Sequence, residues 1–328
     1  MLGYLLFLSR LTSMTRAEIA PSNIRFIKLG EQGRWEKSCI EEGTIRFGYE
    51  SPYHAESLAG NWEVVRQHWI GARSGPRREA TANNDLRQIR DFYELDSNTL
   101  WFTFYNRKLW WCFAEEEVIE LEEDDSRIRR AVNGWSCTDL TGRDLTVQNL
   151  DGRVTATAGY QGTICALKED LYDYFVRKIN GATTKDVDDA LTHLKSLTEA
   201  VKSLVLGLWW KDFELLTDLI FTRAGWQRTT ELGKTQKSVD LDMFAPVTGR
   251  RAFVQVKSQA NLATLLDTIE QFREMEGFDD LFFVVHTPDS GIRNYKANDP
   301  TIHVLDLNRI ADLVVNAGLI QWLINKRS

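Results

Sequence analysis

The chain has 328 residues, a formal net charge of −7 and 27% charged residues, which excludes a global basic field for holding nucleic acid and leaves that task to local patches. Hydrophobic residues make up 43% of it, enough for globular cores, and at about 150 residues per domain the length predicts two domains. Cys39, Cys112, Cys137 and Cys165 are widely spaced with no CxxC pair, which argues against a zinc site or disulfide framework and fits a reducing cytoplasm.

Met1 to Arg10 holds a short apolar run with no basic residue before it. A bilayer span needs roughly 20 apolar residues, and a signal peptide needs a basic start. Residues 1–21 are therefore expected to form a disordered leader, with Met14 a natural start, and no other stretch could cross a membrane. A cytoplasmic protein is expected.

Residues 22–180 read as mostly β. Asn23 to Leu29 alternates, and Gly43 to Gly48 is a second short strand. Helices fit Trp62 to Trp69 and Asp85 to Tyr93. Thr99 to Tyr105 and Leu109 to Ala114 form the clearest hairpin, its β-branched and aromatic residues flanking a polar turn. Arg127 to Val132 and Thr163 to Leu167 are further strands, and a small β-barrel is the expected outcome.

Trp35, Trp62, Trp69, Trp101, Trp110, Trp111 and Trp135 lie in this half, against four tryptophans after it. Such rings fill a β-core, or they stack on nucleobases. Trp110 and Trp111 are adjacent on a strand and so point to opposite faces. Arg73-Ser-Gly-Pro-Arg77-Arg78, with Arg87 and Arg90, is either a solvated surface or a set of phosphate contacts.

Ala82-Asn-Asn-Asp-Leu-Arg-Gln-Ile-Arg-Asp-Phe-Tyr93, leading into the Thr99 to Ala114 hairpin, resembles the PUA-like barrels, in particular the EVE and YTH-type readers of modified bases. The resemblance implies a base pocket with aromatic walls, for which Trp35, Trp62, Trp101, Trp110 and Asn83 are the candidates. Arg77, Arg78 and Arg87 would contact DNA.

Gly181-Ala-Thr-Thr184 breaks the pattern and marks the boundary. Val187, Leu191, Leu194, Val201, Val205 and Leu208 then recur at helical spacing, so residues 181–208 are expected to be a connecting helix. It packs on its own domain or forms a dimer seam.

Residues 209–328 read as helix, strand, strand, helix, strand, helix, an α/β domain with a mixed sheet flanked by helices. Phe213 to Gly225 is helical and stops at glycine. Trp226 to Thr230 is a short strand. Lys237 to Ala245 and Ala252 to Lys257 alternate around a turn at Pro246 to Gly249. Leu262 to Met275 is a helix, and Leu281 to His286 is an apolar run suited to a strand buried on both faces. A strand at Ile302 to Asp306 and a helix from Leu307 to Ile324 close the chain. Period two places Asp240 and Asp242 on one face, and Gln255 and Lys257 likewise share a face. A carboxylate, an amide and an amine would then converge beside the sheet, or form a salt-bridged pair on a solvated face.

Glu214 in its helix, Gly225-Trp226, Asp242 and Gln255-Val-Lys257 together resemble the PD-(D/E)xK nuclease superfamily, nearest to the Mrr-like restriction endonucleases, some of which carry QxK. The likeness implies Asp242 as the main ligand of Mg²⁺ or Mn²⁺, the Gln255 amide oxygen and Val256 carbonyl as further ligands, Lys257 acting on the water, and Glu214 as ligand or support. Asp240 ranks second to Asp242, whose position before Met243-Phe244-Ala245 fits the family better. Between Arg223 and Lys257 the chain is locally basic, with Lys234 and Lys237 the foremost DNA contacts.

The implied protein is a modification-dependent restriction endonuclease, acting on double-stranded DNA as a homodimer because two strands need two sites. A Holliday-junction or repair nuclease with the same core, and a catalytically silent DNA- or RNA-binding protein, stay open.

Overall fold

The computed structural model describes residues 17–229 and 240–328. The chain divides into two compact units between Thr184 and Lys185.

The N-terminal unit runs β1 (Asn23–Ile27), α1 (Glu36–Glu42), β2 (Thr44–Phe47), α2 (His54–Leu58), α3 (Trp62–Ala72), α4 (Arg78–Glu94), β3 (Thr99–Tyr105), β4 (Lys108–Ala114), β5 (Ile119–Glu120), β6 (Arg127–Ser136), α5 (Gly152–Thr155), β7 (Ile164–Ala166) and α6 (Tyr172–Asn180). The sheet order is β2-β6-β4-β3-β1-β7, with β5 on β6. All its pairs are antiparallel except β1 with β3. The expected barrel does not close, and the sheet is a curled half-barrel. The register shifts between Trp111 and Phe113 against β6, and Asn133 and Gly134 take left-handed angles (φ 61° and 75°), irregularities of the kind that bend a strand.

Alternation along β3 sorts its side chains to two cores. Trp101 packs with Phe47, Phe92 and Ile89 under α3 and α4, while Leu100 and Phe102 pack with Phe175 and Ile179 of α6. Helices thus cover both faces, which is why so few of the strand tryptophans reach water. Ile19, expected in a disordered leader, is tied to the fold: its N–H donates to Asn180 Oδ1 at 2.8 Å, and Asn180 Nδ2 returns a bond to its carbonyl at 3.1 Å. Residues 1–16 lie outside the described residues.

The C-terminal unit contains α7 (Lys185–Leu206), α8 (Trp210–Arg223), β8 (Gln227–Arg228), β9 (Leu241–Ala245), β10 (Arg250–Ala260), α9 (Leu262–Glu274), β11 (Asp280–Pro288), α10 (Ser290–Asn294), β12 (Ile302–Leu305), α11 (Leu307–Asn316) and α12 (Ile320–Arg327). The strand order is β12-β11-β10-β9-β8. β10, β11 and β12 are parallel, and β9 pairs antiparallel with β10 and β8. Ala252, Val254 and Val256 of β10 face the core built with α7, α8 and α11. Phe253 faces the opposite core, built with α9 and β11. The apolar 281–286 run is buried on both sides, as its composition implies.

The expected connecting helix belongs to this unit. Val201 and Val205 of α7 are buried in its core, while Val187, Leu191 and Leu194 at the other end stay exposed. The closing helix is two, parted at Gly318, whose φ of 67° suits glycine.

Candidate active site

The β9–β10 register decides which side chains meet. Ala245 pairs with Arg250 across the four-residue turn, and counting back puts Asp242 opposite Phe253 and Leu241 opposite Val254. Asp242 therefore stands away from Gln255 and Lys257. Its Oδ1 accepts from Arg251 Nε at 2.9 Å, and its other oxygen accepts from Arg251 Nη2. That bidentate pair engages both oxygens of the aspartate expected to lead the site. The carboxylate that meets the QxK strand is Asp240. Its Oδ2 accepts from Gln255 Nε2, from the Val256 N–H at 2.8 Å, and lies 3.7 Å from Lys257 Nζ.

These contacts form where β10 extends past its last described pair with β9. Among the described residues β9 pairs with β10 as far as Val254, and β10 runs on to Ala260. There Asp240 accepts from the Val256 N–H. A strand residue sends its N–H and carbonyl to the same side, so the Val256 carbonyl faces the same edge. Gln255, expected to offer its amide oxygen, instead donates its amide N–H to Asp240.

Glu214 arrives from α8. Phe213 beside it is buried against His286, ring centroids 4.7 Å apart, which anchors that turn of helix on the sheet. Glu214, Asp240, Val256, Lys257, Ser258 and Gln259 line one cleft of about 410 Å³ with Trp210 and Phe213. Burial raises the Glu214 carboxyl above its ordinary range, and the Asp240 carboxylate adds to the rise; Lys257 opposes it. Two carboxylates pressed toward one cleft fit a divalent cation, since a cation removes the repulsion that each imposes on the other. The donors available are all oxygens, as Mg²⁺ or Mn²⁺ prefers. Among the described residues no three His, Cys, Asp or Glu side chains gather around one point, so carbonyl or amide oxygens and water would complete the shell. Lys234 and Lys237, expected to contact DNA, lie outside the described residues.

In the N-terminal unit the expected pocket residues have separate partners. Trp101 is fully buried in the core, with Phe92 edge-on and the Arg129 guanidinium 5.7 Å from its ring. It is a core residue, because α4 covers the face that a base would need. Trp35 is half-buried between the guanidinium groups of Arg34 and Arg46, each 4.3 Å from its ring. The Trp62 indole donates to Glu94 at 2.6 Å, and that of Trp110 to the Tyr105 carbonyl at 3.1 Å. Asn83 is exposed and accepts from Arg66 at 2.8 Å. Arg77 and Arg78 are exposed at the start of α4, whereas Arg87 sits 3.5 Å from Asp91.

Sequence reading missed a buried polar group under α4. Asp85 accepts from Tyr49 Oη at 3.0 Å and Arg73 Nε at 2.7 Å. Gln88 accepts from the Thr163 and Ile164 N–H groups and donates to Tyr49 Oη. Burial, then the Asp85 charge, pushes the Tyr49 hydroxyl up to about 12. The signal was the placement of Asp85 and Gln88 on the helical stripe of Ala82, Ile89 and Phe92, which is otherwise apolar.

No protein-family model matches the chain, and no curated protein matches it. Among solved structures it is similar to the DNA modification-dependent restriction endonuclease AspBHI, at 12% identity over 88% of this chain and 81% of that one, with a TM-score of 0.29. At that TM-score the similarity decides neither fold nor chemistry.

Proposed function

We propose that the C-terminal unit hydrolyses phosphodiester bonds in DNA with Mg²⁺ or Mn²⁺, and that the N-terminal unit selects duplexes carrying a modified base, as in defence by restriction. One observation carries the nuclease reading: the carboxylate of Asp240 is bonded to Gln255 and faces Lys257, in the same cleft as Glu214. Asp240 takes the part first expected of Asp242.

Phosphodiester hydrolysis requires an activated water and neutralisation of charge gathering on the phosphate oxygens, which a divalent cation supplies when bound. The Asp240 and Glu214 carboxylates and the Val256 carbonyl would hold it. Gln255 keeps Asp240 in line, and a half-turn of its amide would add its own oxygen. Lys257, about two-fifths exposed at 39%, can orient the attacking water and offset negative charge on the phosphate. The QxK pattern puts one charge fewer in the site than a carboxylate there would, so cation affinity rests more heavily on Glu214.

Arg77 and Arg78 are the exposed basic side chains proposed to meet phosphate in the N-terminal unit, with Trp35, Trp62, Trp110 and Asn83 as the residues that a base could approach. Reading a modified base in a duplex requires flipping it out. Cutting both strands requires two sites and hence a second copy. The exposed Val187, Leu191 and Leu194 of α7 continue the line of Val201 and Val205 and are the face proposed for it.

The test is incubation of the full chain with Mg²⁺ and matched modified and unmodified duplexes. Preferential cutting of modified DNA supports both halves of the proposal. Equal cutting removes the reader and leaves the nuclease. No cutting of any duplex or junction removes the nuclease.

A further inference from the structure

The start of α8 sets two tryptophans side by side, Trp209 just before the helix and Trp210 on its first turn, the second of them lining the cleft. Trp209 is 58% exposed and Trp210 49%. Their rings lie 5.5 Å apart at 59°, with the Lys211 ammonium 5.3 and 5.2 Å from the two centroids. Trp210 is one turn ahead of Glu214 and lines the same cleft. The pair is held firmly, because Leu208 before it and Phe213 after it are both buried in the core. The folded chain therefore keeps two large indoles in water on a fixed backbone, an apolar surface of the kind that marks a binding site.

The chemistry of this spot is specific. An exposed indole face suits a flat aromatic ring, the second indole, tilted at 59°, can flank its edge, and the nearby lysine suits the negative charge attached to it. A nucleotide offers both. Within a duplex, however, base faces are covered by their neighbours, and proteins meet only base edges and phosphates. A ring face becomes available where a base is unpaired, looped out or at an end.

We propose that Trp209 and Trp210 form a stacking platform for an unstacked nucleobase beside the cut, with Lys211 on its phosphate, so that the cleft takes strands whose bases have left the helix. The proposal rests on the nuclease reading of the cleft and adds to it a preference for locally opened DNA. A protein partner could also cover exposed indoles. The lysine over both rings and the continuity with a polar, carboxylate-bearing cleft favour nucleic acid.

The test uses the full chain in EDTA, where no cutting occurs, and two oligonucleotide duplexes. One is fully paired, and the other is identical except for a single bulged 2-aminopurine. Wild type is expected to bind the bulged duplex more tightly and to quench the 2-aminopurine. Loss of one stacked base corresponds to roughly a 5- to 150-fold loss of affinity. Trp210→Ala and Trp209→Ala should show that loss on the bulged duplex and little change on the paired one, whereas Trp210→Phe should keep most of the affinity. Circular dichroism on each variant verifies folding. Equal binding of both duplexes by wild type, or Ala variants that bind the bulge as wild type does, overturns the platform. So does a change confined to self-association in sedimentation. If cleavage with Mg²⁺ persists in those cases, only the platform falls; if wild type neither binds nor cuts DNA, the nuclease reading falls with it.

Discussion

Replacing Asp242 by asparagine separates a structural carboxylate from a chemical one. Its pair with Arg251 uses two parallel N–H···O contacts, with side-chain exposures of 19% and 33%. Fully exposed pairs contribute about 0.2–1 kcal/mol, and hydrogen bonds to charged groups about 1.5–3 kcal/mol. A partly exposed bidentate pair falls between, at about 1–2 kcal/mol. For a unit the size of Lys185–Ser328 that corresponds to a fall in Tm of about 3–8 °C. Calorimetry on the full chain should show this loss in one transition, while the cleavage rate per folded molecule in Mg²⁺ stays near that of wild type. An Asp242→Asn protein that melts normally but cuts no DNA would refute the reasoning and return the leading role to Asp242.

Other outcomes follow from the same geometry. Lys257→Met should keep the fold while cutting at saturating protein falls by about 10²–10⁴, the range for loss of a positioned acid–base group; single-turnover rates measure it. Glu214→Gln bears on pH. A carboxyl whose folded pKa is raised contributes stability at low pH that is lost as pH rises through that pKa. The variant should therefore melt above wild type at pH 7 and level with it near pH 4, and a uniform offset at both would contradict the cause assigned to the shift. Trp101→Ala should cost the N-terminal unit about 3–5 kcal/mol, as for a large buried aromatic, and equilibrium unfolding in urea reads it.

Much of the C-terminal fold was legible because its elements are local patterns. The alternation in 241–245 and 252–257, the apolar 281–286 run and the helical stripe around Phe213 each specify an element without distant information. Which of the two aspartates meets Gln255 was not read, although the signal was present. The turn Pro246-Val-Thr-Gly249 fixes Ala245 against Arg250, and two residues per step then carry Asp240, not Asp242, to Gln255. Facing was inferred from period two, but register needs the turn length as well.

In the N-terminal half the strands were visible, but barrel closure was not decided by them. Closure depends on whether the outermost strands meet, and the sheet ends at β2 and β7. Trp101 shows the same limit. An aromatic on a strand reads alike as core or pocket wall until the covering helix is known, and here α4 covers it.

The measurement that bears most directly on the nuclease centre is single-turnover cleavage of duplex DNA in Mg²⁺ by wild type and Asp240→Asn. Asparagine can still accept from the Val256 N–H, so the fold is kept while one cation-binding charge is removed. Metal-dependent cutting by wild type and its loss in Asp240→Asn, with a cooperative melting transition retained, is the predicted result. Cutting by Asp240→Asn at the wild-type rate would contradict it.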